Sequence, residues 1–186
     1  MPFPQLLPLK GIRYSCVTNL ASEFVGPDGT SHSLSNSVDR QLLIEARKVS
    51  SLIVTDVATA VAENYRASKY APIEIWSKSG NDRGFIPEQP TGTEPISFVT
   101  ITNLEAEIAR VNEERTLLEC GPTLAAAMAD GIAQAVITVA NRSQGPQWLF
   151  ERAAARCLKR LGLDDLTEYV WHIDESNVYL VASRRG

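Results

Sequence analysis

The chain has 186 residues, of which 44% are apolar and 22% are charged, and its formal net charge is −4. This is an ordinary globular composition, and the chain is long enough to bury a core without disulfides, so global disorder is excluded. A mildly acidic chain is a poor candidate for general nucleic-acid binding, which needs a concentrated basic face. We expect one domain over residues 1–186.

Compartment and metal content can also be predicted from composition. No apolar run reaches the roughly 18 residues of a membrane span, and prolines interrupt the N-terminal stretch where a signal peptide is apolar. The three cysteines, Cys16, Cys120 and Cys157, form no C-x-x-C pair, and two histidines are too few for a multi-histidine centre. We therefore predict a cytoplasmic protein that binds no metal and no membrane.

Strand and helix patterns alternate along most of the chain. After an extended, proline-rich arm over residues 1–11, strands are predicted at 12–18, 51–55, 72–76, 96–101, 116–119 and 134–140. Helices are predicted at 38–49, 58–62, 104–111, 123–130 (closed by Gly131) and 146–161. Residues 81–95 are rich in proline and glycine and predict a surface loop. Strands at 166–173 and 178–183 predict a closing hairpin. The alternation predicts an α/β fold whose mainly parallel sheet has helices on both faces and an antiparallel C-terminal edge.

Candidate chemistry lies where strands end, because such sheets bind ligands beyond the carboxyl ends of their strands. At residues 118–124 (LECGPTL) a strand ends and Pro122 begins a helix. Unpaired amides at a helix start attract phosphate, and Thr123 adds a hydroxyl. The alternative is a tight junction without a ligand. Cys120 in this stretch is a reactive thiolate or, more simply, a small junction residue.

Three other junctions carry polar residues. Ser77 and Lys78 combine a hydroxyl with a cation and could hold a phosphate, or they could form a solvated loop. Thr59 is either a helix cap or a ligand contact, and Asp56 is either a base or an exposed carboxylate. Ser22 has no evident partner base, so nucleophilic catalysis is unsupported and no catalytic residue is assigned.

Four stretches match one family in order and spacing: residues 26–40 (GPDGTS…SNSVDR), 53–65 (IVTDVATAVAENY), 75–79 (IWSKS) and 118–124 (LECGPTL). The chain resembles the reductase (C-terminal) domain of the bifunctional riboflavin-biosynthesis deaminase–reductases over roughly residues 12–183. The resemblance implies a dihydrofolate-reductase-like fold, a three-layer α/β/α arrangement. It also implies a homodimer formed through the sheet edge or the C-terminal strands, where Trp171 and Tyr179 lie.

The resemblance implies a function as well, because that family reduces a ribosylamino-pyrimidine phosphate with NADPH. The cofactor's phosphates would lie at Thr59, Gly121, Pro122 and Thr123, and its 2′-phosphate at Ser77 and Lys78. The small-molecule substrate would lie at Asn19, Ser35 and Asp39. Hydride transfer depends on placement, so backbone and dipoles can suffice without a nucleophile.

One departure from the family pattern keeps a second interpretation open. The family's "GAGT" is here Asp56-Val57-Ala58-Thr59, which puts a carboxylate where the backbone should approach an anionic cofactor. The resemblance therefore implies either an NADPH-dependent reductase or a relative that has lost catalysis and serves as a nucleotide- or flavin-binding or structural protein. The first interpretation expects unpaired main-chain amides around Gly121 that face an open crevice.

Overall fold

The computed structural model describes residues 6–80, 83–141, 143, 145–174 and 176–184. The strands are β1 (Gly11–Thr18), β2 (Leu52–Asp56), β3 (Ile73–Ser77), β4 (Ile96–Thr100), β5 (Arg115–Leu118), β6 (Ile132–Ala140), β7 (Glu168–Ile173) and β8 (Asn177–Ser183). The helices are α1 (Ser37–Lys48), α2 (Val57–Ala62), α3 (Leu104–Asn112), α4 (Pro122–Ala127) and α5 (Gln147–Arg160), with a 3₁₀ turn at Ala129–Gly131. None of the helices in these ranges is long and apolar enough to cross a membrane.

The strands form one sheet in the order β4-β3-β2-β5-β1-β6-β8-β7. The first six strands in that order are parallel, whereas β8 runs antiparallel to β6 and β7 antiparallel to β8. This confirms the predicted mainly parallel sheet with an antiparallel C-terminal edge. It also brings the carboxyl ends of six strands to one side of the sheet.

Helices cover both faces of the sheet. Successive residues of each strand point to opposite faces, so one strand contributes side chains to both cores. In β2, Ile53 packs with apolar residues of α1 and α2, while Leu52 and Val54 pack with those of α3, α4 and α5. The two cores lie on opposite faces of the sheet, as the predicted three-layer arrangement requires.

The helix predicted over residues 123–130 is shorter than expected. It ends at Ala127 and gives way to the 3₁₀ turn, and Gly131 does not adopt the left-handed conformation of a helix-ending glycine. A Cβ on Gly131 would lie 2.6 Å from Cγ2 of Ile108 in α3. The glycine therefore permits close packing of α3, and its interpretation as a helix terminator was wrong.

The predicted N-terminal arm is described from Leu6 onward; residues 1–5 lie outside the described part of the chain, as do Asn81 and Asp82 of the predicted loop. Leu6 is buried, and the Leu7 carbonyl accepts a hydrogen bond from Arg13 Nη2 at 2.7 Å. The last arm residue, Gly11, belongs to β1. The division of the chain into a single domain stays a prediction.

Candidate functional site

A crevice of about 1100 Å³ opens at the carboxyl ends of β1, β2, β3 and β5, with walls from α1, α2 and α4. Its volume slightly exceeds the roughly 300–1,000 Å³ typical of ligand pockets. The six residues predicted to bind the cofactor all line it: Thr59, Ser77, Lys78, Gly121, Pro122 and Thr123. Residues from three separate junctions thus share one concave surface.

Asp56 connects two of these junctions. It is the N-cap of α2, and its Oδ1 accepts a hydrogen bond from the Thr59 N–H at 2.9 Å. Its Oδ2 accepts from the Thr59 hydroxyl at 2.8 Å and, across the sheet, from the Gly121 N–H at 2.9 Å. The Gly121 N–H also lies 2.9 Å from Thr59 Oγ1. One carboxylate therefore holds three donors at the centre of the crevice.

The expectation of an unpaired amide at Gly121 is wrong, although the crevice itself is open. The physical reason is the aspartate at residue 56, which supplies an acceptor within reach of the next strand's end. The start of α4 receives no side-chain cap from Gly121. The inner junction, formed by Asp56, Thr59 and Gly121, already holds an anion, so in this arrangement it does not fit a phosphate.

The outer end of the crevice has the opposite charge. Ser77 ends β3, and Lys78 follows it with an exposed side chain. Arg83 also lines the crevice. The exposed Lys78 ammonium matches the charge of a phosphate group, so the outer end fits one where the inner junction does not.

Asp39 lies at the other end of the crevice, in the first turn of α1. Its carboxylate accepts hydrogen bonds from the Ser35 hydroxyl at 2.5 Å and the Thr138 hydroxyl at 2.6 Å. Burial raises the pKa of Asp39, and these two hydrogen bonds oppose the rise. Ser35 is not a lining residue; it contacts the crevice through Asp39.

Asn19, the third residue predicted to contact the substrate, is not among the crevice-lining residues. Its Nδ2 donates to Glu23 Oε2 at 2.7 Å, and its Oδ1 accepts from the Ala21 and Glu23 N–H groups at 2.9 and 3.0 Å. The side chain is thus committed to shaping its own loop. A substrate contact at Asn19 stays a prediction that the crevice does not support.

A polar cluster of Arg47, Tyr65 and Glu119, the last two of them buried, lines the crevice and was missed in the sequence. Arg47 Nε donates to Glu119 Oε1 at 2.8 Å and Arg47 Nη2 to Oε2 at 2.5 Å, and the Tyr65 hydroxyl donates to the same Oε2. Burial alone would lower the pKa of Arg47, but the Glu119 carboxylate outweighs it and raises that pKa. Glu119 belongs to the LECGPTL stretch that the sequence analysis singled out, but its partner Arg47 lies 72 residues away in the chain. No local sequence pattern connects the two residues.

Cys120 is buried beside this cluster. Burial, and then the negative charge of Asp56, raise the pKa of its thiol well above the ordinary value. A thiolate nucleophile at this position is therefore disfavoured, and the interpretation of Cys120 as a small junction residue fits better.

No protein-family model and no curated protein sequence matches the chain. Solved structures do match. The bifunctional diaminohydroxyphosphoribosylaminopyrimidine deaminase/5-amino-6-(5-phosphoribosylamino)uracil reductase of Thermotoga maritima is 10% identical with a TM-score of 0.65, over 94% of this chain and 56% of that one. This chain thus spans little more than half of the Thermotoga protein.

Two shorter proteins match over almost their whole length. A pyrimidine reductase-like protein of Corynebacterium diphtheriae is 14% identical with a TM-score of 0.61, over 94% of this chain and 91% of that one. The dihydrofolate reductase of Enterococcus faecalis, solved with NADP(H), is 9% identical with a TM-score of 0.59, over 95% and 98% of the two chains. These matches confirm the predicted resemblance. Because the sequence identities are so low, the matches establish the dihydrofolate-reductase-like fold of this chain and not its activity.

Proposed function

We propose that the chain is a reductase that binds NADPH in the crevice and reduces a small heterocyclic substrate, such as a ribosylamino-pyrimidine phosphate. One observation carries the proposal. The residues predicted for the cofactor come from three separate strand ends, and all of them line a single crevice large enough for a dinucleotide and a substrate. The reductases among the structural matches support the same assignment.

The ends of the crevice suit different parts of this reaction. Lys78 provides positive charge for a phosphate of the cofactor. NADPH, when bound, supplies the hydride. At the far end Asp39 lines the crevice with a carboxyl group whose pKa burial raises, and this group lies where a substrate could hydrogen-bond to it. The Asp56 carboxylate opposes a dinucleotide, because it already holds the donors of the inner junction.

A second candidate function follows from that feature. Because Asp56 occupies the Gly121 N–H, the chain could be a catalytically inactive family member that binds a nucleotide or flavin, or serves a structural role. In this case the crevice persists while hydride transfer is lost.

Titration with NADPH, followed by nicotinamide fluorescence, tests the proposal. We expect saturable binding that NADP⁺ displaces and that Ala58→Trp abolishes, because Ala58 is an exposed residue on the crevice wall. No binding at millimolar NADPH would refute the reductase assignment. A yellow protein as purified, with flavin bound and no affinity for NADPH, would support the second candidate.

We also propose that the protein is a homodimer in the cytoplasm. Its three cysteines are free thiols, in keeping with a reducing compartment.

The edge strand β7 has one strand neighbour and carries the half-exposed apolar residues Tyr169 and Val170. Tyr179 is buried within its own subunit and donates to Asp174 Oδ2 at 2.5 Å, so it is not part of the proposed interface. Trp171 packs edge-on against Tyr169.

A further inference from the structure

We infer that Asp56 is a specificity-determining residue: its carboxylate competes with the phosphate groups of nucleotide ligands for the hydrogen-bond donors of the inner junction. The inference rests on the proposed function, because it concerns which ligands the crevice accepts. The Asp56 side chain thereby weakens the binding of ligands that carry a pyrophosphate group.

The three donors that Asp56 holds are of the kind that bind phosphate oxygens. Two are backbone N–H groups, at Thr59 and Gly121, and the third is the Thr59 hydroxyl. They come from two different strand–helix junctions and converge on the two oxygens of one carboxylate. Convergent backbone amides with a hydroxyl form an anion-binding concavity, and here the anion belongs to the protein.

Helix capping accounts for only part of this arrangement. Capping α2 needs one acceptor for the Thr59 N–H, and Oδ1 provides it. The second oxygen, Oδ2, reaches the end of the neighbouring strand and takes the Gly121 N–H. Asparagine or serine would cap α2 about as well, so the charge and the contact across the sheet add something that capping does not require.

These three hydrogen bonds stabilise the negative charge of Asp56. Among the described residues no cation forms an ion pair with it. A phosphate that entered the inner junction would lose the donors and lie beside a like charge, two effects that both weaken binding. A neutral group, such as a ribose hydroxyl, avoids the like-charge repulsion.

The test uses two variants, Asp56→Asn and Asp56→Ser, each of which removes the charge and keeps an oxygen that can cap α2. Three probes are titrated: NADPH, inorganic pyrophosphate and adenosine. We expect both variants to bind NADPH and pyrophosphate at least about tenfold more tightly than the wild type, and adenosine with unchanged affinity. Thermal melting verifies that each variant is folded.

Glu113→Gln is the matched control. It also removes one carboxylate, but from an exposed pair with Lys10 at the opposite end of the strands. We expect it to leave the affinity for all three probes unchanged. An equal gain in Glu113→Gln would assign the effect to net charge and overturn the inference.

The remaining outcomes separate this inference from the proposed function. Folded Asp56 variants that bind NADPH and pyrophosphate no more tightly than the wild type overturn the inference. If pyrophosphate binding improves while no form of the protein binds NADPH, the role of Asp56 stands and the NADPH-dependent reductase is refuted. If the wild type and the variants bind NADPH with equal affinity, the proposed function stands and the inference about Asp56 is overturned.

Discussion

Asp39 is a half-buried carboxylate that takes part in none of the ion pairs among the described residues. Two hydroxyls stabilise its charge, but burial outweighs them and raises its pKa above the ordinary value of 3.8. Such an arrangement costs stability and is typical of groups retained for function.

The raised pKa makes a prediction about stability and pH. Because the folded protein binds the Asp39 proton more tightly than the unfolded chain, this residue lowers stability as the pH rises from 3.8 through the raised pKa. Asp39→Asn removes that loss. We expect the Tm of this variant, relative to that of the wild type, to be higher at neutral pH than below pH 3.8. Melting curves at several pH values measure the difference, and a difference that is constant with pH would contradict it.

The Arg47–Glu119 pair makes a second prediction at this scale. The Glu119 side chain is 5% exposed and that of Arg47 22%, so Glu119→Ala leaves a largely buried guanidinium without its partner. We expect the free energy of unfolding to fall by about 3 kcal/mol or more. Urea denaturation measures it. Lys10→Met, which breaks an exposed pair, should leave the midpoint unchanged, and equal shifts in both variants would contradict the account.

Sequence patterns located most elements because periodicity and capping residues are local features. Asn36, for example, is a residue type that commonly caps helices, and its Oδ1 accepts the Asp39 N–H at 2.8 Å at the start of α1. The end of α4 was mislocated because a glycine after a helix usually marks its C-terminus. The use of Gly131 depends instead on α3, which packs against it.

Gly131 therefore supplies a prediction at the scale of elements. In Gly131→Ala the new Cβ would lie 2.6 Å from the stiff Cγ2 of Ile108, so α3 has to shift. We expect a loss of about 1–3 kcal/mol in the free energy of unfolding. Gly145→Ala is the control, because its Cβ meets the flexible end of Leu149 at the same distance. A larger loss in the control than in Gly131→Ala would contradict this explanation.

The crevice is a property of the whole molecule, because strand order creates it. Residues 56–59 and 121–123 are neighbours only because β2 lies beside β5 in the sheet. Six residues that the family resemblance assigned to the cofactor line the crevice, and so does Asp39, whereas Asn19 and Ser35 do not. The resemblance did not predict the hydrogen bond from Gly121 to Asp56, which depends on a side chain that departs from the family pattern.

The proposed dimer makes a prediction about assembly. Val170 is 56% exposed on the edge strand β7, and a lysine there would place charge in the proposed interface. We expect Val170→Lys to be a monomer by analytical ultracentrifugation where the wild type is a dimer. Ile86→Lys, at an exposed position outside β7, should remain a dimer. A monomeric wild type would refute the proposed assembly.

The central claim is that the carboxyl ends of β2, β3 and β5 form a nucleotide-binding crevice. A crystal structure of the protein soaked with NADPH tests it most directly. The account predicts electron density for the dinucleotide across these strand ends, with a phosphate beside Lys78. Either the Asp56 carboxylate is displaced from the inner junction, or it keeps its hydrogen bonds and no phosphate lies there. Well-ordered NADPH bound elsewhere on the protein, or an empty crevice at millimolar cofactor, would contradict it.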